Sequence, residues 1–171
     1  VVAETVAEIG GSEGVNPDGH IQPLVEPDGK RMTNRVLAKA VAKKLATDEF
    51  PEAVLGIGLR GGLFAFQVTE ALIERGCAAG FLGLEPNQRA GADGYHFACS
   101  EADIRKRLGG RRVALVLPIV TDAHLSTINA IKTLVEREGC GATFWGTGTI
   151  IQYRPDGRAK LPRVDSLIQI S

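Results

Sequence analysis

The chain has no CxxC pair, no close group of histidines, no excess of either charge and no long apolar run. Each absence removes a class of function. Three dispersed cysteines (Cys77, Cys99 and Cys140) support neither a zinc site nor a disulfide framework, and they fit a reducing, cytoplasmic setting. Lys plus Arg total 20 and Asp plus Glu total 20, so no net field draws the protein to nucleic acid or to an anionic membrane. The apolar runs fall well short of the roughly 20 residues that a membrane span needs. Glu4 and Glu8 stand where a secretory signal would carry basic residues. His20, His96 and His124 are too far apart in sequence to suggest a metal site.

What remains is ordinary globular composition, 44% hydrophobic and 23% charged over 171 residues. That length is most simply one domain, residues 1–171, with an N-terminal helix and loop or hood over 1–32 and a core over 33–171. Val2–Ile9 has helical character, and Gly14–Gly29 reads as loop with one short extended piece at His20–Leu24. Thr33 or Asn34 can cap a helix carrying Val36, Leu37, Ala40, Val41 and Leu45.

Strand then helix repeats from there. Ala53–Ile57 reads as a buried strand, Gly58–Gly62 as a turn, and Phe64, Val68, Leu72 and Ile73 mark a helix to Arg75. Ala79–Leu84 is a second strand. Asn87–Gly94 is a glycine-rich loop, with Tyr95–Ala98 pairing on its far side. Ser100 with Asp103 three residues on reads as the start of a short charged helix. Val113–Leu117 is a third core strand. Ser126 or Thr127 is a candidate cap for a helix with Ile128, Ile131, Leu134 and Val135 on one face. Thr143–Ile151 and Val164–Ile170 are two more strands, separated by a turn at Pro155–Gly157. The alternation predicts an α/β fold whose central sheet is mainly parallel, has about five strands, and carries helices on both faces. Ligands in such sheets sit beyond the carboxyl ends of the strands.

Two turns at such ends stand out. Gly56-x-Gly58-x-x-Gly61 matches a dinucleotide fingerprint between strand and helix, and Glu85 stands where a ribose-binding acid would be expected. A tight turn or a general anion loop explains the same glycines. Thr121–Thr127 offers hydroxyls at Thr121, Ser126 and Thr127 at a helix start, which suits a phosphate, and simple helix capping accounts for them equally. Asp122 is the only carboxylate of that turn, and His124 lies inside it. Arg105–Arg107 with Arg111 and Arg112 is a basic run preceded by Glu101 and Asp103, hence a solvated face.

From His20 to Ile170 the chain resembles the type I phosphoribosyltransferases, in particular the orotate branch. Val54–Ala65 is similar to the family's first strand and pyrophosphate loop, Gly110–Val116 to the approach to its phosphoribosyl-diphosphate motif, and Thr147–Arg154 to the strand ending in an orotate-contacting arginine. The resemblance implies that Arg60, Gly61 and Gly62 line a pyrophosphate and that Thr121, Asp122, His124, Ser126 and Thr127 surround a phosphate. It implies also that Arg154 meets a base. It further implies a homodimer, and magnesium if a diphosphate donor is bound.

The motif itself departs from the family. Where the family reads E/D-D-x-x-T-T-G-G-S, this chain has Leu117-Pro118-Ile119-Val120-Thr121-Asp122-Ala123-His124-Leu125. Leu117 and Pro118 replace the acidic pair, and the loop Asn87–Tyr95 keeps Arg89 but no lysine. The expectation is a phosphoribosyltransferase-like protein that binds a nucleotide or related phosphate metabolite with weak or no transfer. An active enzyme with an altered site and a non-catalytic regulatory or assembly protein are the alternatives.

Overall fold

Strands of three to eleven residues and intervening helices fold into one open sheet covered on both faces. The computed structural model describes residues 34–87, 94–153 and 162–170. Helix α1 (Asn34–Leu45) leads to β1 (Ala53–Ile57), α2 (Gly58–Glu74), β2 (Gly80–Pro86) and a short β3 (Tyr95–Phe97). Then come α3 (Glu101–Leu108), β4 (Arg112–Thr121), a 3₁₀ turn (Asp122–His124), α4 (Leu125–Glu138), β5 (Thr143–Tyr153) and β6 (Val164–Ile170). The expected helix at Val2–Ile9, the hood and the turn at Pro155–Gly157 lie outside the described residues.

The sheet order is β3-β2-β1-β4-β5-β6. Five strands are parallel, as the alternation predicts, and β3 adds an antiparallel edge in which Leu84 faces Phe97. Leu37, Val41 and Leu45 of α1 and Phe64, Val68 and Leu72 of α2 pack on one face, against Val54, Val116 and Ile119. Ile104 and Leu108 of α3 and Ile128, Ile131 and Leu134 of α4 pack on the other, against Leu55, Leu82, Leu115 and Val120. β1 and β4 are therefore buried on both sides, which is why they read as continuous apolar runs without polar alternation.

Three local expectations change. Gly58–Gly62 is not a turn: α2 starts at Gly58 itself, directly after Ile57. Gly58 adopts φ +63°, a conformation a side chain would resist, so the chain reverses at a single residue. The strand expected to stop at Leu117 runs on to Thr121, because β5 continues beside it and pairs Ile119 with Ile151 and Thr121 with Tyr153. The register omits Pro118, which has no N–H to give; Thr149 Oγ1 stands 3.0 Å from the Pro118 carbonyl oxygen. Finally, α4 starts at Leu125, so Ser126 and Thr127 lie within its first turn and do not cap it. The Ser100 cap of α3 is as expected, with Ser100 Oγ accepting the Asp103 N–H at 3.2 Å.

Candidate functional site

Two neighbouring strands send their helices to opposite faces. β1 is followed by α2 on one side and β4, its neighbour in the sheet, by α4 on the other. Between such strands a crevice opens at their carboxyl ends, where open α/β sheets bind ligands. The structure thus brings Gly58–Gly62 and Thr121–Thr127 to the same end of the sheet. Sequence spacing alone could not do so, since about sixty residues separate them.

The two turns are built differently. At the first, Ile57 is the N-cap residue and makes no side-chain cap hydrogen bond. Gly56 lets β1 and α2 approach closely: a Cβ there would meet Ala65 Cβ at 2.7 Å and Gly62 Cα at 2.7 Å. The fingerprint glycine is accordingly a packing residue. Gly62 is buried, Gly61 is half-buried with open space where its Cβ would be, and Arg60 is exposed.

The second turn closes on itself. Thr121 Oγ1 accepts the His124 backbone N–H, and His124 Nδ1 accepts the Thr121 N–H at 3.0 Å, a reciprocal cap. The ring nitrogen also lies 3.0 Å from Thr121 Oγ1. An accepting Nδ1 is unprotonated, so the neutral imidazole carries its proton on Nε2. Burial lowers the His124 pKa in the same sense. Thr121, Asp122, His124 and Thr127 are half-buried, whereas Ser126 is exposed.

The turns are not level. The register that pairs Leu55 with Leu115 sets Ile57 opposite Leu117, and β4 runs four residues further, about 13 Å at the rise of a parallel strand. Leu117 is 7% exposed within the α3/α4 face of the core.

Tyr95, not singled out from sequence, also reaches this end, as does Glu85. Tyr95 OH lies 3.4 Å from Thr127 Oγ1 and so links the stem of the Asn87–Gly94 loop to the first turn of α4. The only signal for it was an aromatic residue directly after that glycine-rich loop. Glu85 lies across from His96 in the β2–β3 ladder; its Oε2 is 3.6 Å from His96 Nε2, and Asn87 Oδ1 is 2.9 Å from Nδ1. Arg89 and Arg154 lie outside the described residues.

Among the described residues no three of His, Cys, Asp and Glu gather in a group that could hold a metal. Asp122 alone is a poor magnesium site, because the ion is usually held by one or two carboxylates together with ligand phosphates. No helix among the described residues is long and apolar enough to cross a membrane. A recess of about 560 Å³ lined by Thr47, Asp48, Glu74 and Arg75 opens at the opposite end, where β1 and β2 begin. It is remote from both turns and outside the crevice.

No family model matches the chain, and no curated protein matches it. Solved structures do. The adenine phosphoribosyltransferase of Rhodothermus marinus superposes with a TM-score of 0.59 at 21% identity, covering 79% of this chain and 78% of that one. The purine phosphoribosyltransferase of Pyrococcus horikoshii gives 0.55 at 14% identity, covering 80% and 82%. A hypothetical protein of Neisseria gonorrhoeae with bound ppGpp gives 0.51 at 16% identity, covering 80% and 78%. At such identities the likeness speaks to architecture alone. In its sheet order and its two-sided helical cover, this chain has the type I phosphoribosyltransferase fold.

Proposed function

We propose that the protein binds a nucleotide or a related phosphoribosyl-type phosphate metabolite in the crevice beyond β1 and β4, with little or no transferase activity. The observation that carries this reading is that α2 and α4 start at the same end of the sheet and leave the neighbouring strands β1 and β4 on opposite faces, where the sheet changes winding direction. Arg60, Gly61 and Gly62 face a diphosphate or phosphate from the β1 side. Thr121, Asp122, His124, Ser126 and Thr127 approach from the β4 side. Arg89 and Arg154 are assigned to the loop and the base by resemblance only. The Rhodothermus and Pyrococcus neighbours are purine enzymes by name, and the sequence resemblance is to the orotate branch, so the base is part of the proposal.

Weak transfer follows from chemistry. Leu117 and Pro118 supply no ionised group to hold ribose hydroxyls, and the exposed Glu85 lies in the β2–β3 ladder beside His96. A lost charge-assisted contact costs about 1.5–3 kcal/mol, so several together reach roughly 6 kcal/mol, or a ten-thousandfold slower step. No step is assigned to magnesium, since the turn offers one carboxylate.

The test is a thermal-shift and calorimetric panel of phosphoribosyl diphosphate, AMP, GMP, orotidine monophosphate, ppGpp and sulfate. A phosphorylated ribose compound should raise the melting temperature well above the effect of equal sulfate. The variant Arg60→Ala should weaken binding about tenfold, worth about 1.4 kcal/mol. No stabilisation by any member of the panel would reject the reading. Turnover of phosphoribosyl diphosphate with adenine or orotate would replace it with the active-enzyme alternative.

A further inference from the structure

The cap between Thr121 and His124 occupies groups that a phosphate would use. The Thr121 N–H donates to His124 Nδ1 at 3.0 Å, and the His124 backbone N–H donates to Thr121 Oγ1. Both amides stand at the start of the helical run that continues into α4, where free N–H groups attract an anion. Closed in this way, the turn offers neither of them. The cap also holds in one protonation state only. Nδ1 accepts from a backbone donor that cannot reverse its role, so a proton on Nδ1 sets two N–H groups against each other. Thr121 Oγ1, 3.0 Å from the same nitrogen, can accept that new proton, but the Thr121 amide then has no acceptor.

The surroundings supply no other cation to this turn. It packs against β4 and α4. β4 carries no charged residue after Arg112, and α4 none before Lys132, about two turns along. β5 sets Tyr153 beside Thr121, and Tyr95 of β3 reaches Thr127. Asp122 is the carboxylate of the turn itself. Burial lowers the His124 pKa, and no charged neighbour among the described residues adds to the shift. An imidazolium at this position is therefore costly until an anion arrives.

We propose that the Thr121–His124 cap is a proton-operated latch on the β4 side of the crevice, displaced by a phosphate group as His124 takes up one proton from solvent. It rests on the reading of this crevice as a phosphate site. Opening releases the Thr121 N–H and turns a neutral ring into a charge-assisted donor for the phosphate dianion. By linkage, affinity rises as pH falls between the His124 pKa in the complex and its lower pKa in the free protein. The rise is at most about tenfold per pH unit.

The probes are ribose 5-phosphate and AMP, titrated by NMR at pH 7.5 and pH 5 against wild type and His124→Gln. The variant keeps an acceptor for the Thr121 N–H but takes no proton. Between the two pH values, affinity for wild type should rise about tenfold relative to affinity for the variant. The titration of the ligand and the carboxylates Asp122 and Glu85 are common to both proteins, so the ratio isolates His124. Hydrogen exchange of the ligand-free wild type needs no variant: the protection factor of the Thr121 amide should fall at pH 5. Absence of a relative rise in affinity, or equal protection of that amide at both pH values, overturns the latch and leaves the phosphate reading standing. Failure of both probes to bind at either pH overturns that reading and the latch with it.

Discussion

The junction from β1 to α2 and the junction from β4 to α4 lie at one end of the sheet, and they solve the same problem in opposite ways. The first is made of glycine, has no side-chain cap and leaves Gly58, Leu59 and Arg60 in solvent. The second has no glycine and is closed by Thr121 and His124, which consume two backbone donors. A helix start presents about four unsatisfied amides, and whatever the chain does not satisfy is available to an anion. For the proposed phosphate ligand, the β1 side is therefore the open one, whereas on the β4 side it would have to work around an internal cap.

The largest expected effect is at the glycine that lets the open junction pack. Gly56→Val puts carbon atoms against Ala65 and the Gly62 backbone, with a Cβ only 2.8 Å from the Gly61 carbonyl oxygen. Urea unfolding should show a loss of about 3 kcal/mol or more, since backbone cannot yield as a flexible side chain does. Thr121→Val removes the hydroxyl half of the closed junction and should cost about 1 kcal/mol in the same assay. If it costs nothing, the reciprocal cap has no energetic meaning and the contrast between the junctions fails.

Gly61→Ala sharpens the comparison from the other side. Its Cβ would enter open space within a helix, so stability should rise by roughly 0.5–1 kcal/mol while affinity for the phosphorylated ligand falls. A gain in stability with unchanged affinity would show that the ligand does not approach this backbone.

The smallest effect is the pH dependence of the closed junction. Burial holds the His124 pKa below its unfolded value of about 6.5, so between those two values the unfolded chain binds more protons than the folded one. Stability should be flat above that value and fall as pH drops through it towards the folded pKa. The variant His124→Gln should lose this slope, as thermal melts across pH 5 to 8 will show.

Much of this architecture is legible without coordinates. Ala53–Ile57 has the bounds the apolar run predicts, and Ser100 caps α3 with Asp103 as the residue types require. The structure departs from the local pattern where a signal has two meanings. Gly58, Gly61 and Gly62 are turn residues by propensity, yet they open a helix, because Gly58 alone absorbs the reversal and the rest join the first turns. Pro118 reads as the end of a strand, yet the strand continues because β5 carries the pairing past it. Histidine as the partner in a helix-start cap has no ordinary sequence signature, so residue type points to Ser126 and Thr127 where the structure uses Thr121.

The chain by itself determined the alternation of strand and helix, the burial of β1 and β4 on both sides, and the absence of a carboxylate at Leu117 and Pro118. Those follow from the chemistry and period of neighbouring residues, which need no distant partner. Which strands lie together, and therefore that the β1 and β4 turns face one crevice, was decided only in three dimensions. So was the exposure of Leu59, Leu63, Phe66 and Ile73 on α2. The physical reason is shared: strand order and the choice of which helix face is covered depend on contacts between segments far apart in sequence, and no local pattern encodes them.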